Sequence, residues 1–252
     1  MSDSYHDWDG ESLTRSQLYT FRKNPRDFYN RYVLGLAQPR SKALVFGSAF
    51  HALTLEGREV FDKDFVETFE RPAAPRDPRN KLCAGLFEGA QFESVAEGID
   101  YETGIPLRCK VDIWTNQGFC CDLKSHSGDL GDSWDRAIMD YGYHFQAAFY
   151  RTCTSTDRFP FLVVQKSRNP DAMVAELDDE EAALGQKVLR AALDRFAVCL
   201  DAHRAAYELE PGPERNLAID AAWPGIGMAQ TDRRVTRFPK WFYDKELRYV
   251  SK

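Results

Sequence analysis

The chain has 252 residues, of which 43% are hydrophobic and 13% aromatic, so it can bury a sizeable core. Its formal net charge of −6 argues against a globally basic nucleic-acid binder, and no apolar run reaches the roughly 18 residues of a membrane span. The amino terminus, MSDSYHDWDG, lacks the basic and apolar regions of a secretory signal. Six cysteines without a C-x-x-C pair predict free thiols and no iron–sulphur cluster. We therefore expect a cytoplasmic protein with no membrane partner.

Positive charge is concentrated in two segments of this acidic chain. From Glu11 to Lys42 there are seven basic and two acidic residues, a net charge of +5. From Ala229 to Lys252 there are seven basic and three acidic residues, a net charge of +4. These segments could be solvated helix faces and a basic tail, or they could contact phosphates. Charge alone does not distinguish the two interpretations.

Three helices are predicted in the amino-terminal part. The segment Thr14–Gln17 has the pattern of a capping box and begins a helix that runs to about Arg22. Asn24-Pro25 starts a second helix that Gly35 can end. Apolar residues in SKALVFGSAFHALTLEG recur at helical spacing and stop at Gly57, which predicts the third helix.

Strand patterns follow a proline-rich loop at residues 70–81. The stretches QFESVAEGI, IPLRCKVDIW and GFCCDLKS predict an antiparallel meander, and FPFLVVQK and AMVAEL predict two later strands. A long helix is predicted from about Leu130 to Thr154, and another from Asp178 to about Tyr207. The end of the chain after Glu210 looks irregular.

These elements predict an α/β (α+β) fold in which a mixed central sheet is flanked by helices. We expect one domain over residues 1–210. Residues 211–252 are expected to form a basic carboxy-terminal extension that is packed on this domain or flanks it.

Two carboxylates and a lysine converge on the predicted meander. Asp112 and Asp122 lie on neighbouring strands, and Lys124 points to the same face as Asp122 because side chains alternate along a strand. Two carboxylates repel each other unless a divalent cation lies between them, and oxygen ligands suit Mg²⁺ or Mn²⁺. Such a cation can activate water against a phosphodiester, although an Asp-x-Lys pattern on a strand also arises often by chance.

The pattern Asp112…Asp122-Leu-Lys124 resembles the PD-(D/E)xK nuclease superfamily. Four further features, in the same chain order, resemble its RecB/RecE-like phage exonuclease branch, of the exodeoxyribonuclease VIII type. They are the segment SLTRSQLYTFRKNPRDFY, a G-x-x-x-H motif in FGSAFHALTLEG, a strand glutamate ahead of the first aspartate, and a Q-x-x-x-Y motif in QAAFY. The glycine of G-x-x-x-H is Gly47, a small residue that would let its helix approach the site.

The resemblance implies a restriction-endonuclease-like core with a metal site. Asp112, Asp122 and the backbone carbonyl of Leu123 would hold the principal Mg²⁺ (or Mn²⁺). His51 and Glu93 would complete that site or help to form a second one, for two ions in all. Glu97 and Glu88 are alternatives to Glu93, which is assigned by its offset from Asp112.

The resemblance also implies roles for Lys124 and for residues that contact DNA. Lys124 would position the attacking water, and Gln146 and Tyr150 would fix the scissile backbone. The basic residues that would guide the strand are Arg15, Arg22 and Lys23.

The implied activity is that of an exonuclease that hydrolyses linear duplex DNA 5′-to-3′ and supplies single strands for recombination. A homo-oligomer of three or four subunits around the DNA and a single-strand annealing protein as partner are expected from the same branch. The segment between Gly57 and Glu93 is shorter than in the branch pattern, which leaves the assembly and the DNA path open. A structure-specific or restriction-type endonuclease and a non-cutting DNA-binding protein of the same fold remain alternatives.

Overall fold

The computed structural model describes residue 10 and residues 12–36, 42–64, 87–167 and 171–225. The predicted loop at residues 70–81, the basic segment from residue 229 and most of the predicted extension lie outside the described residues. No helix within the described ranges combines the length and the low charge that a bilayer crossing requires.

The predicted capping box is present at the start of the first helix. Thr14 Oγ1 accepts a hydrogen bond from the Gln17 amide at 3.4 Å, and the Gln17 side-chain oxygen accepts one from the Thr14 amide at 2.8 Å. The Asn24 side chain caps the next helix, and Gly35 follows that helix with a left-handed φ of 66°. The elements are β1 (Leu13–Thr14), α1 (Arg15–Lys23) and α2 (Pro25–Phe28), which continues as a π-helix (Tyr29–Val33).

The third predicted helix is present and ends at the expected glycine. It comprises α3 (Lys42–His51) and a π-helical continuation (Ala52–Glu56). Gly57 follows with a φ of 98°, which side-chain-bearing residues rarely adopt. A further short helix, α4 (Arg58–Asp64), is absent from the sequence-based prediction.

A mixed sheet forms the centre of the fold, as predicted. Its remaining strands are β2 (Gln91–Ile99), β3 (Pro106–Trp114), β4 (Cys120–His126), β5 (Phe161–Gln165) and β6 (Ala172–Ala175). The strand β2 pairs antiparallel with β3 along its length, which leaves the other edge of β3 to be shared by the parallel β1 and the antiparallel β4. The strands β4 and β5 are parallel, and β6 is antiparallel to β5. The predicted meander is confirmed over β2, β3 and β4.

The single helix predicted from about Leu130 to Thr154 is wrong at one point. The structure has two helices there, α5 (Asp132–Tyr141) and α6 (Tyr143–Thr154). Gly142 separates them in the left-handed conformation, and a Cβ atom at this position would lie 2.7 Å from the ring of Tyr19 on α1. The pattern of apolar residues continues across this break, so periodicity alone predicted one helix. The break itself lies at a left-handed glycine.

Two helices complete the described chain. The predicted long helix is confirmed as α7 (Asp179–Tyr207), with the Asp178 side chain accepting hydrogen bonds from its first turn. The irregular end predicted after Glu210 is wrong for the part that the structure describes, because Pro213 begins α8 (Pro213–Ala222). Trp223 follows α8, is fully buried and packs its ring against Phe21, Phe28 and Phe196. The domain division at residue 210 stays a prediction, although Trp223 belongs to the core of the residues that precede it.

Two hydrophobic clusters pack around the sheet. The larger one joins β3, α1, α6 and α7, and the smaller one contains Phe50 and Leu55 from the third predicted helix with Leu123 and Val164 from the sheet. Helices from two parts of the chain therefore meet at β3 and β4, and the polar residues described next lie between them.

Candidate active site

The strands β2 and β3 reverse the faces of their side chains at one pair of residues. Val111 packs in the larger cluster and Ile113 in the smaller, although residues two apart on a regular strand share a face. The reversal falls at Glu93 and Asp112, which lie opposite each other by the register of the flanking pairs. Glu93 has a φ of 52°, a left-handed conformation that is rare for a residue other than glycine. This local distortion brings both carboxylates to the gap beside β4.

Asp112 lies where β3 and β4 separate. The two strands pair at Ile113 with Cys121 and at Trp114 with Cys120. Beyond those pairs, the Leu123 amide donates a hydrogen bond to Asp112 Oδ2 at 2.8 Å in place of a strand partner. The Asp112 carboxylate therefore holds the separated strands at a fixed spacing.

Asp122 is 3% exposed, and both of its carboxylate oxygens are engaged. Lys124 Nζ donates to Oδ2, and Gln146 Nε2 donates to Oδ1. Lys124 comes from the same strand, whereas Gln146 is on α6. The predicted Asp122 and Lys124 are thus in direct contact, and Gln146 orients the carboxylate.

His51 reaches the site from α3. Its Nε2 atom lies 2.9 Å from the Leu123 carbonyl oxygen. Its Nδ1 atom lies 3.6 Å from Asp112 Oδ2 and 3.8 Å from Glu93 Oε1. Gly47 was predicted to let this helix approach the site closely. The structure does not support that reason, because a Cβ atom at Gly47 would meet no described atom within 4 Å.

The electrostatics of the cluster show that it is short of positive charge. The pKa of Asp112 is raised to about 7, chiefly by burial, with Asp122 and Glu93 adding to the rise and His51 and Lys124 opposing it. Burial lowers the pKa of His51, but the nearby carboxylates of Asp112, Glu93 and Asp122 outweigh burial and raise it to about 9. Protons therefore neutralise part of the cluster at neutral pH.

Three of these side chains could hold a divalent metal ion. Ligand atoms of His51, Glu93 and Asp112 all lie within 4.8 Å of one another. The Glu93 Oε1 atom is buried and has no hydrogen-bond partner. A buried carboxylate oxygen without a donor, beside an imidazole and a second carboxylate, fits a cation that accepts oxygen and nitrogen ligands. Glu97 and Glu88, the alternatives to Glu93, are both exposed.

Two predicted metal ligands stand apart from this group of three. Asp122 is outside it, and Lys124 and Gln146 engage the two oxygens of its carboxylate. The Leu123 carbonyl already contacts His51, which leaves one of its two lone pairs for another partner. Their roles as metal ligands stay predictions.

The predicted DNA-binding residues fall into two sets. Gln146 and Tyr150 are buried, and the Tyr150 hydroxyl donates to the Lys110 carbonyl at 2.9 Å, so both hold the site together from α6. The other set surrounds the Tyr19 ring, with cationic groups within 6 Å of its centroid, and consists of Arg15, Arg22 and Lys23. The roles of both sets toward DNA stay predictions.

Lys110 is a site residue that the sequence analysis missed. Its Nζ atom lies 2.6 Å from Glu93 Oε2. The sequence held a partial signal, because regular alternation would place Lys110 on the same face as Asp112, two residues further along the strand. The pairing depends on the left-handed backbone at Glu93, which the sequence does not reveal.

A mixed sheet with two aspartates and a lysine where its strands separate is the arrangement of PD-(D/E)xK nucleases. A model of the family described as a PDDEXK-like domain of unknown function (DUF3799) matches residues 75–208, which is more than half of the chain. The chain belongs to this family, and the predicted superfamily and fold class are confirmed. A search of curated proteins found no match.

Solved structures share the fold. The chain is similar to a candidate exonuclease from Eubacterium rectale, with a TM-score of 0.62 and 17% identity over 97% of each chain. An alkaline exonuclease from Laribacter hongkongensis has a TM-score of 0.41 and 13% identity, over 80% of this chain and 95% of that one. The first structure shows that the fold is shared over nearly the whole chain.

Proposed function

We propose that the chain is a divalent-metal-dependent deoxyribonuclease that degrades linear duplex DNA from its ends. The observation that carries the proposal is the buried Glu93 Oε1 atom, which has no hydrogen-bond partner and lies 3.8 Å from His51 Nδ1. A buried acceptor in this position is costly unless a cation lies beside it; in the metal-free protein the protonated His51 ring is that cation, and a bound metal ion would take the place of its proton. Membership of a PDDEXK-like family supports DNA as the proposed substrate, since the PD-(D/E)xK fold is a nuclease fold.

Mg²⁺ is the proposed cofactor, with Mn²⁺ as the alternative, held by His51, Glu93 and Asp112 and bordered by Asp122 and the Leu123 carbonyl. Such an ion would supply Lewis acidity and lower the pKa of an attacking water. Mn²⁺ accepts an imidazole ligand more readily than Mg²⁺ does. With His51 as a ligand, Mn²⁺ should therefore support activity as well as Mg²⁺ does.

The remaining site residues act on the water and on the strand. The Lys124 ammonium, held against Asp122, can orient the nucleophile or stabilise developing negative charge on the phosphate. Gln146 keeps the Asp122 carboxylate in one orientation, and Tyr150 holds the β3 backbone through the Lys110 carbonyl. The Tyr19 set of Arg15, Arg22 and Lys23 would contact phosphates, which positions DNA without reading its sequence.

An exonuclease is preferred to an endonuclease because the Q-x-x-x-Y motif is present and because the similar Eubacterium rectale protein is described as a candidate exonuclease. Cleavage 5′-to-3′, a role in recombination with an annealing partner, and a ring of three or four subunits are proposed from the same resemblance. A non-cutting DNA binder is disfavoured, since it has no need of carboxylates that would repel phosphates.

The test compares linear duplex DNA, labelled at either the 5′ or the 3′ end, with covalently closed circles in Mg²⁺ or in EDTA. We expect Mg²⁺-dependent loss of linear DNA, early release of the 5′ label and intact circles. Cutting of closed circles would favour the endonuclease. No cleavage in Mg²⁺ or Mn²⁺, with DNA still bound, would favour the non-cutting protein. Light scattering at micromolar concentration tests the ring, which a monomer would exclude.

A further inference from the structure

Lys110 supplies a fixed positive charge beside the proposed metal ligands. Its side chain is 34% exposed, and its Nζ atom lies 2.6 Å from Glu93 Oε2. The other oxygen of Glu93, Oε1, faces His51 Nδ1 and has no hydrogen-bond partner. Lys110 therefore occupies one oxygen of Glu93 and leaves the other available.

Lys124 supplies a positive charge to a second carboxylate of the site, that of Asp122. It contacts Asp122 Oδ2, while Gln146 contacts Oδ1. Each of the two outer carboxylates thus has its own ammonium group. Asp112 lies between them and is the carboxylate of the site that contacts no lysine among the described residues.

The formal charges favour one divalent ion in this arrangement. With His51 neutral, the three carboxylates and two ammonium groups that the described residues bring to the site leave a single negative charge. One divalent cation and one phosphodiester bring the total to zero. A second divalent cation would leave two excess positive charges in a buried site, where repulsion between cations is weakly screened.

We propose that Lys110 takes the place of a second metal ion at Glu93, so that the site binds one divalent cation rather than two. This inference rests on the proposed metal-dependent function and deepens it, because it changes the two ions implied by the family resemblance to one. Lys110 is a positioning residue that acts through Glu93, holding its carboxylate so that Oε1 faces His51 and Asp112.

The test counts Mn²⁺ ions bound to the full chain without DNA, by titration calorimetry and by the electron paramagnetic resonance signal of free Mn²⁺. We expect one ion per chain in the wild type. Lys110→Met removes the ammonium at similar length, and a second ion should then bind at least about tenfold more tightly than any second ion in the wild type. Lys110→Arg keeps the charge and should retain one ion. Lys187→Met, at an exposed position on α7, is the matched control and should behave as the wild type.

Two ions of comparable affinity in the wild type would overturn the inference, and this result needs no variant to fold. An unchanged count and affinity in a folded Lys110→Met protein would overturn it as well. Because no DNA is present, a protein that binds one Mn²⁺ but cuts no DNA would reject the proposed nuclease and support the assignment of Lys110. A protein that cuts DNA but binds two ions would support the proposed nuclease and reject the assignment of Lys110.

Discussion

The Nε2 atom of His51 lies 2.9 Å from the carbonyl oxygen of Leu123, and this contact determines which ring nitrogen can bind a metal ion. A carbonyl oxygen only accepts, so Nε2 carries a hydrogen and donates. Nδ1 is then the atom that faces Glu93 and Asp112. A metal-binding histidine commonly donates its other ring N–H to a backbone carbonyl in this way.

Metal binding should strengthen as pH rises, because the ion must displace protons from Asp112 and His51. Their pKa values in the metal-free protein are raised to about 7 and about 9. Protonated His51 stabilises the metal-free fold below about 6.5, and that contribution is lost as pH rises through about 9. Asp112 likewise favours folding while it is protonated, so stability falls as pH rises from about 3.8 to about 7.

We therefore expect the increase in melting temperature on adding Mg²⁺ to grow between about pH 6 and pH 9. Differential scanning fluorimetry with and without Mg²⁺ measures this increase. His51→Ala should remove most of the growth above pH 7, where His51 alone still loses its proton. An increase of equal size at both ends of the range would contradict the predicted proton release.

Replacing Asp122 should abolish cleavage and also cost some stability. In Asp122→Asn the amide group cannot accept from both Lys124 and Gln146, because one of its two polar atoms is itself a donor. We expect cleavage to fall by at least about two orders of magnitude and the free energy of unfolding by roughly 1–3 kcal/mol. Asp201→Asn, at an exposed position on α7, is the control. Cleavage at the wild-type rate would remove Asp122 from the site.

The left-handed backbone at Glu93 predicts an unusual order of stabilities. Glycine normally weakens a strand relative to alanine, but alanine at a φ of 52° carries a steric cost of about 1 kcal/mol that glycine avoids. After glycine's own entropic cost is subtracted, Glu93→Gly should be more stable than Glu93→Ala by roughly 0.5 kcal/mol in urea unfolding without metal. Both variants lose the carboxylate, so the comparison isolates the backbone. The opposite order would indicate ordinary extended backbone at this position.

Trp223 should be essential for folding although it lies beyond the predicted domain boundary. Its ring is fully buried against Phe21, Phe28 and Phe196, and its Nε1 atom donates to His203 Nδ1 at 3.0 Å. We expect Trp223→Ala to lower the free energy of unfolding by about 3–5 kcal/mol. A chain that ends at residue 210 should lose at least as much free energy of unfolding. A chain that ends at residue 225 keeps the packing of Trp223 and should not show this loss. Full stability of the chain ending at residue 210 would support the predicted division.

Local patterns in the sequence were sufficient for most secondary structure and for the central residues of the candidate site. The capping box at Thr14 and the glycine at residue 57 act through their own backbone, so their effects can be predicted without the rest of the fold. Strand alternation was enough to place Lys124 beside Asp122, and the resemblance in motif order pointed to His51 and Gln146.

Tertiary structure decided the features that depend on contact between distant segments. The approach of Tyr19 leaves no room for a side chain at Gly142, and Trp223 is buried because its ring packs against three other aromatic residues. Glu93, rather than Glu88 or Glu97, faces the site because the backbone turns left-handed there and both strands reverse their faces. The same reversal brings Lys110 to Glu93. Sequence periodicity assumes regular strands, so it cannot predict which single residue leaves the regular conformation to form the site.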